Sequence, residues 1–114
     1  MSNTTTLILK GKSGNEFTFH VYELDTTFKK VGGIYVFTKR TQNSDGTWSH
    51  TVLYIGKTED LSTRFNNHHK ETCYKNKGAN RLCVRQVDTV SERDRIEKDM
   101  IQFYNPSCND QLTT

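Results

Sequence analysis

Two strand-like runs next to glycine residues constrain the fold most. The first lies in Gly33–Lys39 and the second is Thr51–Ile55, which runs into Gly56. Both are rich in β-branched and aromatic residues, which favour strands. A turn-rich stretch, Thr41–Ser49, separates them and is predicted to be a mobile loop. We therefore predict that the two runs form an antiparallel pair, and that Gly56 ends the second strand.

The other segments predict one α+β domain, with a small, mainly antiparallel three-stranded sheet flanked by helices. Polar and apolar residues alternate near the N-terminus, which is typical of an added β-hairpin. Asp60 is expected to cap a helix that carries Leu61, Phe65 and His68 or His69 on one face. The predicted elements besides the central pair are a hairpin of Thr6–Lys10 with Glu16–Leu24, the helix from Asp60, an irregular stretch Thr72–Gly78, a strand Arg81–Val87, and a helix capped by Ser91 that runs to about Tyr104 and ends at Asn105-Pro106.

Composition limits the class of protein. The chain has 114 residues, which suits one domain, and its net charge of +3 permits a polyanionic partner without demanding one. The mean hydropathy is −0.79, and no apolar run is long enough to span a membrane. No secretory signal pattern opens the sequence. We expect a soluble, cytoplasmic protein with no membrane partner.

The three cysteines are Cys73, Cys83 and Cys108, an odd number without CxxC spacing. This pattern predicts thiols without a disulfide framework, in a reducing compartment. A zinc site could be imagined from two of the cysteines together with His68 and His69. The spacings match no zinc module, so buried or idle thiols are the preferred interpretation.

The tripeptides Gly33-Ile34-Tyr35 and Tyr54-Ile55-Gly56 form a paired motif, and either one alone could be ordinary strand sequence. Together with the motif residues further along the chain, they resemble the signature of the GIY-YIG endonuclease superfamily. The resemblance extends from Gly32 to Asn109. It implies a nuclease domain at residues 32–114 and a hairpin extension at residues 1–31 that packs on it. The further motif residues, in family order, are Lys57-Thr58, Asp60-Leu61, Arg64, His68, Glu97 and, after Pro106, Asn109.

The resemblance implies a metal-dependent DNA endonuclease that hydrolyses phosphodiester bonds. Such a reaction needs a deprotonated water and stabilisation of the added negative charge. A Mg²⁺ or Mn²⁺ ion held by one carboxylate would suit this chemistry, and Glu97 is the candidate ligand. Arg64 offers a planar fork of donors for phosphate oxygens, and His68 lies one turn further along the same predicted face.

Two tyrosines from paired strands, Tyr35 and Tyr54, are the candidates for water activation and phosphate orientation. The sequence does not assign the two roles between them. A tyrosine is a poor base near neutral pH, so a nearby cation such as Lys57 is expected to assist. The resemblance adds Asn109 to the site.

Basic residues in the middle of the chain are predicted to contact phosphates. If all six act, the log–log slope of DNA affinity against salt would be about −5. The predicted contact residues are Lys57, Arg64, Lys70, Lys75, Lys77 and Arg81.

Each residue also has a structural interpretation, such as strand packing for the tyrosines or a helix ion pair between Glu97 and Arg93. Two other functions therefore stay open. One is a binding module that has lost catalysis, and the other is a protein-interaction domain that uses the hairpin edge. Because the sequence carries no recognisable DNA-targeting module, a protein partner or self-association is expected to supply targeting. The nuclease hypothesis requires Tyr35, Tyr54, Arg64, His68 and Glu97 to converge on one surface, with Arg64 and Glu97 on different helices.

Overall fold

The computed structural model describes residues 5–65 and 68–109. Among these residues it contains one five-stranded antiparallel sheet and two helices, in the strand order β1-β2-β5-β3-β4. The α+β class is confirmed. The elements are β1 Thr5–Lys10, β2 Glu16–Tyr22, β3 Gly33–Gln42, β4 Trp48–Thr58, α1 Glu71–Asn76, β5 Arg81–Gln86 and α2 Val90–Tyr104.

The predicted N-terminal hairpin is present, and it belongs to the same sheet as the central strands. β2 pairs with β5 through His20–Val84, Val21–Cys83 and Tyr22–Leu82. The sheet therefore has five strands where the sequence predicts a separate three-stranded core. Sequence alternation locates strands, but it does not reveal which strand edge a distant hairpin will join.

The two faces of the sheet carry different parts of the core. Ile34 and Val36 point to the face covered by α2, where they pack with Ile96 and Met100. The intervening residues point to the opposite face, which α1 covers, and there the rings of Phe37 and Tyr74 stack with centroids 3.8 Å apart. Successive side chains of a strand alternate between faces, so β3 serves both cores.

The segment after Asp60 is not the predicted helix. Residues 61–65 form turns, and residues 66–67 lie outside the described part of the chain. The carboxylate of Asp60 accepts hydrogen bonds from the Ser62 backbone N–H (2.9 Å) and hydroxyl (2.5 Å). These local bonds resemble an Asx-turn, which competes with helix formation.

A short helix, α1, occupies part of the stretch predicted to be irregular. No side chain caps its N-terminus, and its sequence is polar apart from Cys73 and Tyr74. Tyr74 is buried against Phe37. Tertiary packing therefore stabilises a helix that its own sequence does not predict.

Helix α2 agrees with the prediction except at its start. It begins at Val90 because Thr89 is the N-cap, with its hydroxyl accepting from the Glu92 N–H at 3.3 Å. The predicted cap Ser91 lies inside the helix. The helix ends as predicted, since Asn105 adopts a left-handed conformation (φ 44°) just before Pro106.

The central strand pair is longer than predicted. β3 continues to Gln42 and β4 begins at Trp48, so much of the predicted mobile loop is paired strand. The remaining turn is held by a bond from the Asn43 N–H to the Thr47 carbonyl (2.7 Å). At the other end, Gly56 pairs with Tyr35 and β4 continues to Thr58, so the prediction that Gly56 ends the strand is wrong.

The prediction that no disulfide forms is also wrong. Cys73 in α1 and Cys108 near the C-terminus form a disulfide across 35 positions of sequence, while Cys83 is a buried free thiol. Sequence spacing cannot report this pairing because only the fold brings the two thiols together. The bond removes the argument for a reducing compartment that rested on idle thiols. No helix in the described ranges has the length and apolar character needed to cross a bilayer.

Candidate active site

The paired glycine tripeptides meet where Tyr35 crosses Gly56. These two residues are register partners on β3 and β4, so they share one face of the sheet. A Cβ atom on Gly56 would overlap Cζ and the hydroxyl oxygen of Tyr35. The tyrosine ring therefore lies directly over the glycine. This close approach gives a physical reason for glycine at the end of the second tripeptide.

Gly56→Ala is expected to displace the Tyr35 ring. Tyr35 is fully buried, so the ring has little room to move and the added methyl group should overpack the core. We expect the free energy of unfolding to fall by about 1–3 kcal/mol, measured by denaturant unfolding. Gly46→Ala, at a turn with φ of +89° and open space around the added methyl group, measures the cost of backbone strain without a steric contact. Equal unfolding profiles for Gly56→Ala and the parent would contradict the close packing.

The hydroxyl of Tyr35 is the centre of a buried hydrogen-bond network. Arg64 donates from Nε to this oxygen at 2.8 Å, and His68 Nε2 lies 2.7 Å from it. The backbone N–H of Lys70 donates to His68 Nδ1 at 3.1 Å, so Nδ1 must be an acceptor. Burial, followed by the charge of Arg64, lowers the pKa of His68 to about 4, and the ring is neutral near pH 7. A neutral ring with an accepting Nδ1 carries its proton on Nε2, which donates to Tyr35.

Tyr35 therefore accepts two hydrogen bonds, and its ring lies beside that of Tyr54. The two rings lie 6.0 Å apart. Burial raises the pKa of both tyrosines; the Tyr35 hydroxyl acts to lower that of Tyr54, while Tyr54 raises that of Tyr35. Of the two, Tyr54 is the more exposed, at 7% against 0%. The geometry distinguishes the two tyrosines, which the sequence could not do.

A second group of charges surrounds Glu97, which lies on α2. Its Oε1 is 3.8 Å from Lys57 Nζ, and the same ammonium group forms an ion pair with Asp94. Burial raises the pKa of Glu97 above its ordinary value. The positive charges of Lys57 and Arg64 oppose this rise, and the negative charge of Asp94 adds to it. α2 packs on the face of the sheet opposite Tyr35, and β4, which carries both Tyr54 and Lys57, is an edge strand. Glu97 also acts on Tyr54, whose pKa it raises.

The five expected residues lie in two subgroups. Tyr35, Tyr54, Arg64 and His68 contact one another on the α1 face, and Glu97 lies on α2, which packs on the opposite face. Their convergence on one surface stays a prediction. Arg64 lies in the turn segment rather than on a helix. A cleft of about 350 Å³ beside this group is lined by Arg64, His68 and His69, among others.

Asp94 is a site residue that sequence reasoning missed, because it looked like an ordinary exposed position three residues before Glu97. We expect Asp94→Asn to lower the rate of DNA cleavage about two- to five-fold, since an exposed ion pair is worth up to about 1 kcal/mol. Loss of this partner should leave Lys57 less firmly placed. Single-turnover cleavage of a labelled duplex measures the effect. A rate equal to that of the parent would show that the ion pair does not position Lys57.

Asn109 supports the site from the C-terminal segment. Its side-chain amide bonds both backbone groups of Ile55, accepting from the N–H at 2.9 Å and donating to the carbonyl at 2.8 Å. These bonds give partners to the Ile55 N–H and carbonyl on the outer edge of β4, next to Tyr54. The adjacent disulfide of Cys108 with Cys73 joins the same segment to α1. In this structure Asn109 positions the strand rather than facing the cleft.

The six predicted phosphate contacts are divided between two places. Lys57, Arg64 and Lys70 belong to the candidate site: Lys57 pairs with Asp94 and Glu97, and Arg64 and Lys70 act electrostatically on Tyr54. Lys75 and Lys77 lie at the C-terminal end of α1, where Lys75 is 3.1 Å from Glu71. Arg81 starts β5 beside Arg40.

This division sharpens the salt prediction. DNA that contacts both places should give a log–log slope of about −5, whereas DNA that contacts only Lys57, Arg64 and Lys70 should give about −3. Fluorescence anisotropy across a salt titration, without metal, measures the slope. A salt-independent affinity would show that neither place contacts phosphates.

Comparison with solved structures identifies the fold. Three structures of the GIY-YIG N-terminal endonuclease domain of UvrC from Thermotoga maritima, each a point mutant bound to its catalytic divalent cation, match with TM-scores of 0.54, 0.54 and 0.53. Sequence identity is 24%, 23% and 23%; the matches cover 73%, 73% and 72% of this chain and 87%, 87% and 86% of those chains. No family model and no curated protein matches the sequence. The chain has the GIY-YIG fold, as its two tripeptides predict.

Proposed function

We propose that this protein is a metal-dependent DNA endonuclease that hydrolyses phosphodiester bonds. The observation that carries the proposal is the direct contact of Tyr35, Arg64 and His68, with Tyr54 against them, at the crossing of the two tripeptides. A tyrosine used only for packing does not need a guanidinium and an imidazole on its hydroxyl. The fold is the one found in the UvrC endonuclease domain. We further propose residues 32–114 as the nuclease unit and residues 1–31 as its extension.

Glu97 is the proposed ligand of a divalent cation. Its side chain is 21% exposed, burial raises its pKa, and Asp94 adds a second negative charge nearby, so a cation would relieve an excess of negative charge. No three His, Cys, Asp or Glu side chains cluster for a metal within residues 5–65 and 68–109. One carboxylate with water in the other positions suits Mg²⁺ or Mn²⁺ better than a closed zinc site. The bound ion would stabilise negative charge on the leaving oxygen.

The other side chains supply positioning and proton transfer. Arg64 uses one N–H on Tyr35, and its guanidinium offers further donors to phosphate oxygens. Tyr54 is proposed to orient the attacking water as a neutral phenol: burial raises its pKa, so it keeps its own proton near pH 7, and its ring lies against those of Tyr35 and His68. Lys57, placed between Asp94 and Glu97, adds positive charge beside the cleaved phosphate.

A combined plasmid-nicking and gel-shift experiment tests this function. The protein should nick supercoiled DNA in Mg²⁺ or Mn²⁺ and should not do so in EDTA. DNA binding without nicking in any metal would favour the inactive binding module, and neither binding nor nicking would favour a protein-interaction domain. Either of these results would refute the endonuclease proposal.

A further inference from the structure

Strands β2 and β5 separate before either of them ends. Their pairing covers three residue pairs and stops at His20–Val84, although β2 begins at Glu16 and β5 runs to Gln86. A cavity of about 550 Å³ opens in this gap. It is separate from the 350 Å³ cleft that Arg64, His68 and His69 line. Its volume is within the range of small-molecule sites. We call it the hairpin cavity, because the N-terminal hairpin supplies one wall.

The hairpin cavity is on the same face of the sheet as the tyrosines. His20, Val84, Tyr35 and Gly56 are successive register partners across β2, β5, β3 and β4. Two strand spacings place the His20 backbone about 10 Å from that of Tyr35. A strand of duplex DNA rises about 3.4 Å per nucleotide, so this separation corresponds to about three nucleotides.

Aromatic rings form a continuous wall between the two places. Tyr22, Phe28, Phe65 and Tyr35 follow one another with centroid distances of 5.2, 5.6 and 5.0 Å, each pair edge to face. Tyr22 and Phe28 are half-buried and line the cavity. Aromatic side chains of this kind provide stacking surfaces for bases without selecting a sequence.

The polar lining of the hairpin cavity is positive. Lys29 and Arg85 line it, and no carboxylate does so among the described residues. Arg85 donates from one terminal nitrogen to the Thr18 carbonyl at 3.2 Å, but its buried Nε has no hydrogen-bond partner in residues 5–65 and 68–109. By its register partner Ile34, Arg85 belongs to the α2 face, where its guanidinium lies 5.9 Å from the centroid of the Phe17 ring, so Lys29 is the charged group on the tyrosine side of the cavity. Exposed His20 and Gln86 add groups that can bond a base edge.

We propose that the hairpin cavity binds one unpaired nucleotide of the DNA substrate, on the strand that enters the cleft lined by Arg64, His68 and His69. The inference rests on the proposed endonuclease function and names its substrate class. Lys29 contacts the phosphate, and the base lies against the aromatic wall. A base within a duplex is stacked and paired, and reaching such a cavity would require flipping it out. The preferred substrate is therefore DNA with a single-stranded segment beside the cut, such as a flap or a gap.

Binding measured without metal tests the cavity independently of cleavage. Two labelled oligonucleotides of equal length, one single-stranded and one fully paired, are titrated in EDTA by fluorescence anisotropy. Lys29→Ala and His20→Ala should each weaken single-strand binding about five- to ten-fold and change duplex binding less than about two-fold. Lys98→Ala removes an exposed lysine from α2, outside the cavity, and is the matched control.

Thymidine 5′-monophosphate provides a second probe. It should compete with the single strand for the parent protein and lose this effect in Lys29→Ala. Equal losses for both oligonucleotides, or losses no larger than those of Lys98→Ala, would overturn the cavity proposal even if the protein cuts DNA. If the protein does not cut DNA but these selective losses appear, the cavity proposal stands and the endonuclease proposal fails.

Discussion

Glu97→Gln is expected to lower the rate of DNA cleavage at least ~10²-fold, the size of effect seen when a principal electrostatic contribution to the transition state is lost. Glutamine keeps the shape of the side chain and removes the charge that is proposed to hold the cation. DNA binding without metal should persist or tighten slightly, because one negative charge near phosphate is gone. Single-turnover cleavage and anisotropy measure the two effects separately.

The control for this variant must come from α2 but lie away from the site. Asp94 is unsuitable, although its sequence position suggests a silent substitution, because it shares Lys57 with Glu97. Glu92→Gln is a better match: Glu92 is exposed and pairs with Arg95 at 2.6 Å. It should cleave at nearly the parental rate. Parental cleavage by Glu97→Gln in Mg²⁺ would remove Glu97 from the proposed mechanism.

Tyr54→Phe is expected to have the second largest effect, about 10²-fold or more on the cleavage rate, as for loss of a group that helps to activate the attacking water. Tyr35→Phe should lower the rate less but destabilise the protein more. The buried hydroxyl of Tyr35 accepts hydrogen bonds from Arg64 and His68. Its loss leaves these two donors unsatisfied, which lowers the free energy of unfolding by about 1–3 kcal/mol. Thermal unfolding together with single-turnover cleavage separates the two variants.

The reverse ranking would contradict the assignment of the tyrosines. If Tyr35→Phe abolished cleavage without loss of stability while Tyr54→Phe remained active, Tyr35 would be the residue that activates water. Tyr22→Phe is a matched control, since Tyr22 lies outside the hydrogen-bond network and contacts Phe28. It should leave the cleavage rate unchanged on a fully paired substrate.

The elements that depend on neighbouring residues along the chain could be predicted from the sequence. The β3–β4 pair and the N-terminal hairpin follow from alternation and turn residues, and the end of α2 follows from Asn105-Pro106. The order of the motif residues along the chain, rather than local structure, identifies the candidate site residues, since Arg64 and His68 lie in a segment that is not the predicted helix. The candidate site residues are Tyr35, Tyr54, Arg64, His68 and Glu97.

The features that sequence reasoning missed depend on contacts between distant segments. Helix α1 forms because Tyr74 stacks on Phe37, and the disulfide joins Cys73 to Cys108. The Asp60 segment has the side-chain pattern of a capped helix, but bonds from Ser62 to Asp60 stabilise a turn in its place. Likewise, no local pattern reports that α2 brings an aspartate to the lysine on β4.

Tyr35 and Tyr54 can be told apart only from the directions of their hydrogen bonds and from their burial. The sequence shows two tyrosines on paired strands and makes them equivalent. The Lys70 N–H on His68 Nδ1 fixes the imidazole tautomer, and the tautomer determines that Tyr35 accepts from His68. Such a chain of donors between distant segments is visible only in three dimensions.

Reversal of chelation tests the central claim most directly. The parent protein is incubated with supercoiled plasmid in EDTA, and an excess of Mg²⁺ or Mn²⁺ is then added, with Glu97→Gln treated in parallel. We predict that nicking is absent in EDTA, returns in the parent when metal is added, and does not return in Glu97→Gln, although both proteins bind the plasmid. Nicking that persists in EDTA, or that returns equally in both proteins, would contradict a metal-dependent endonuclease that uses Glu97.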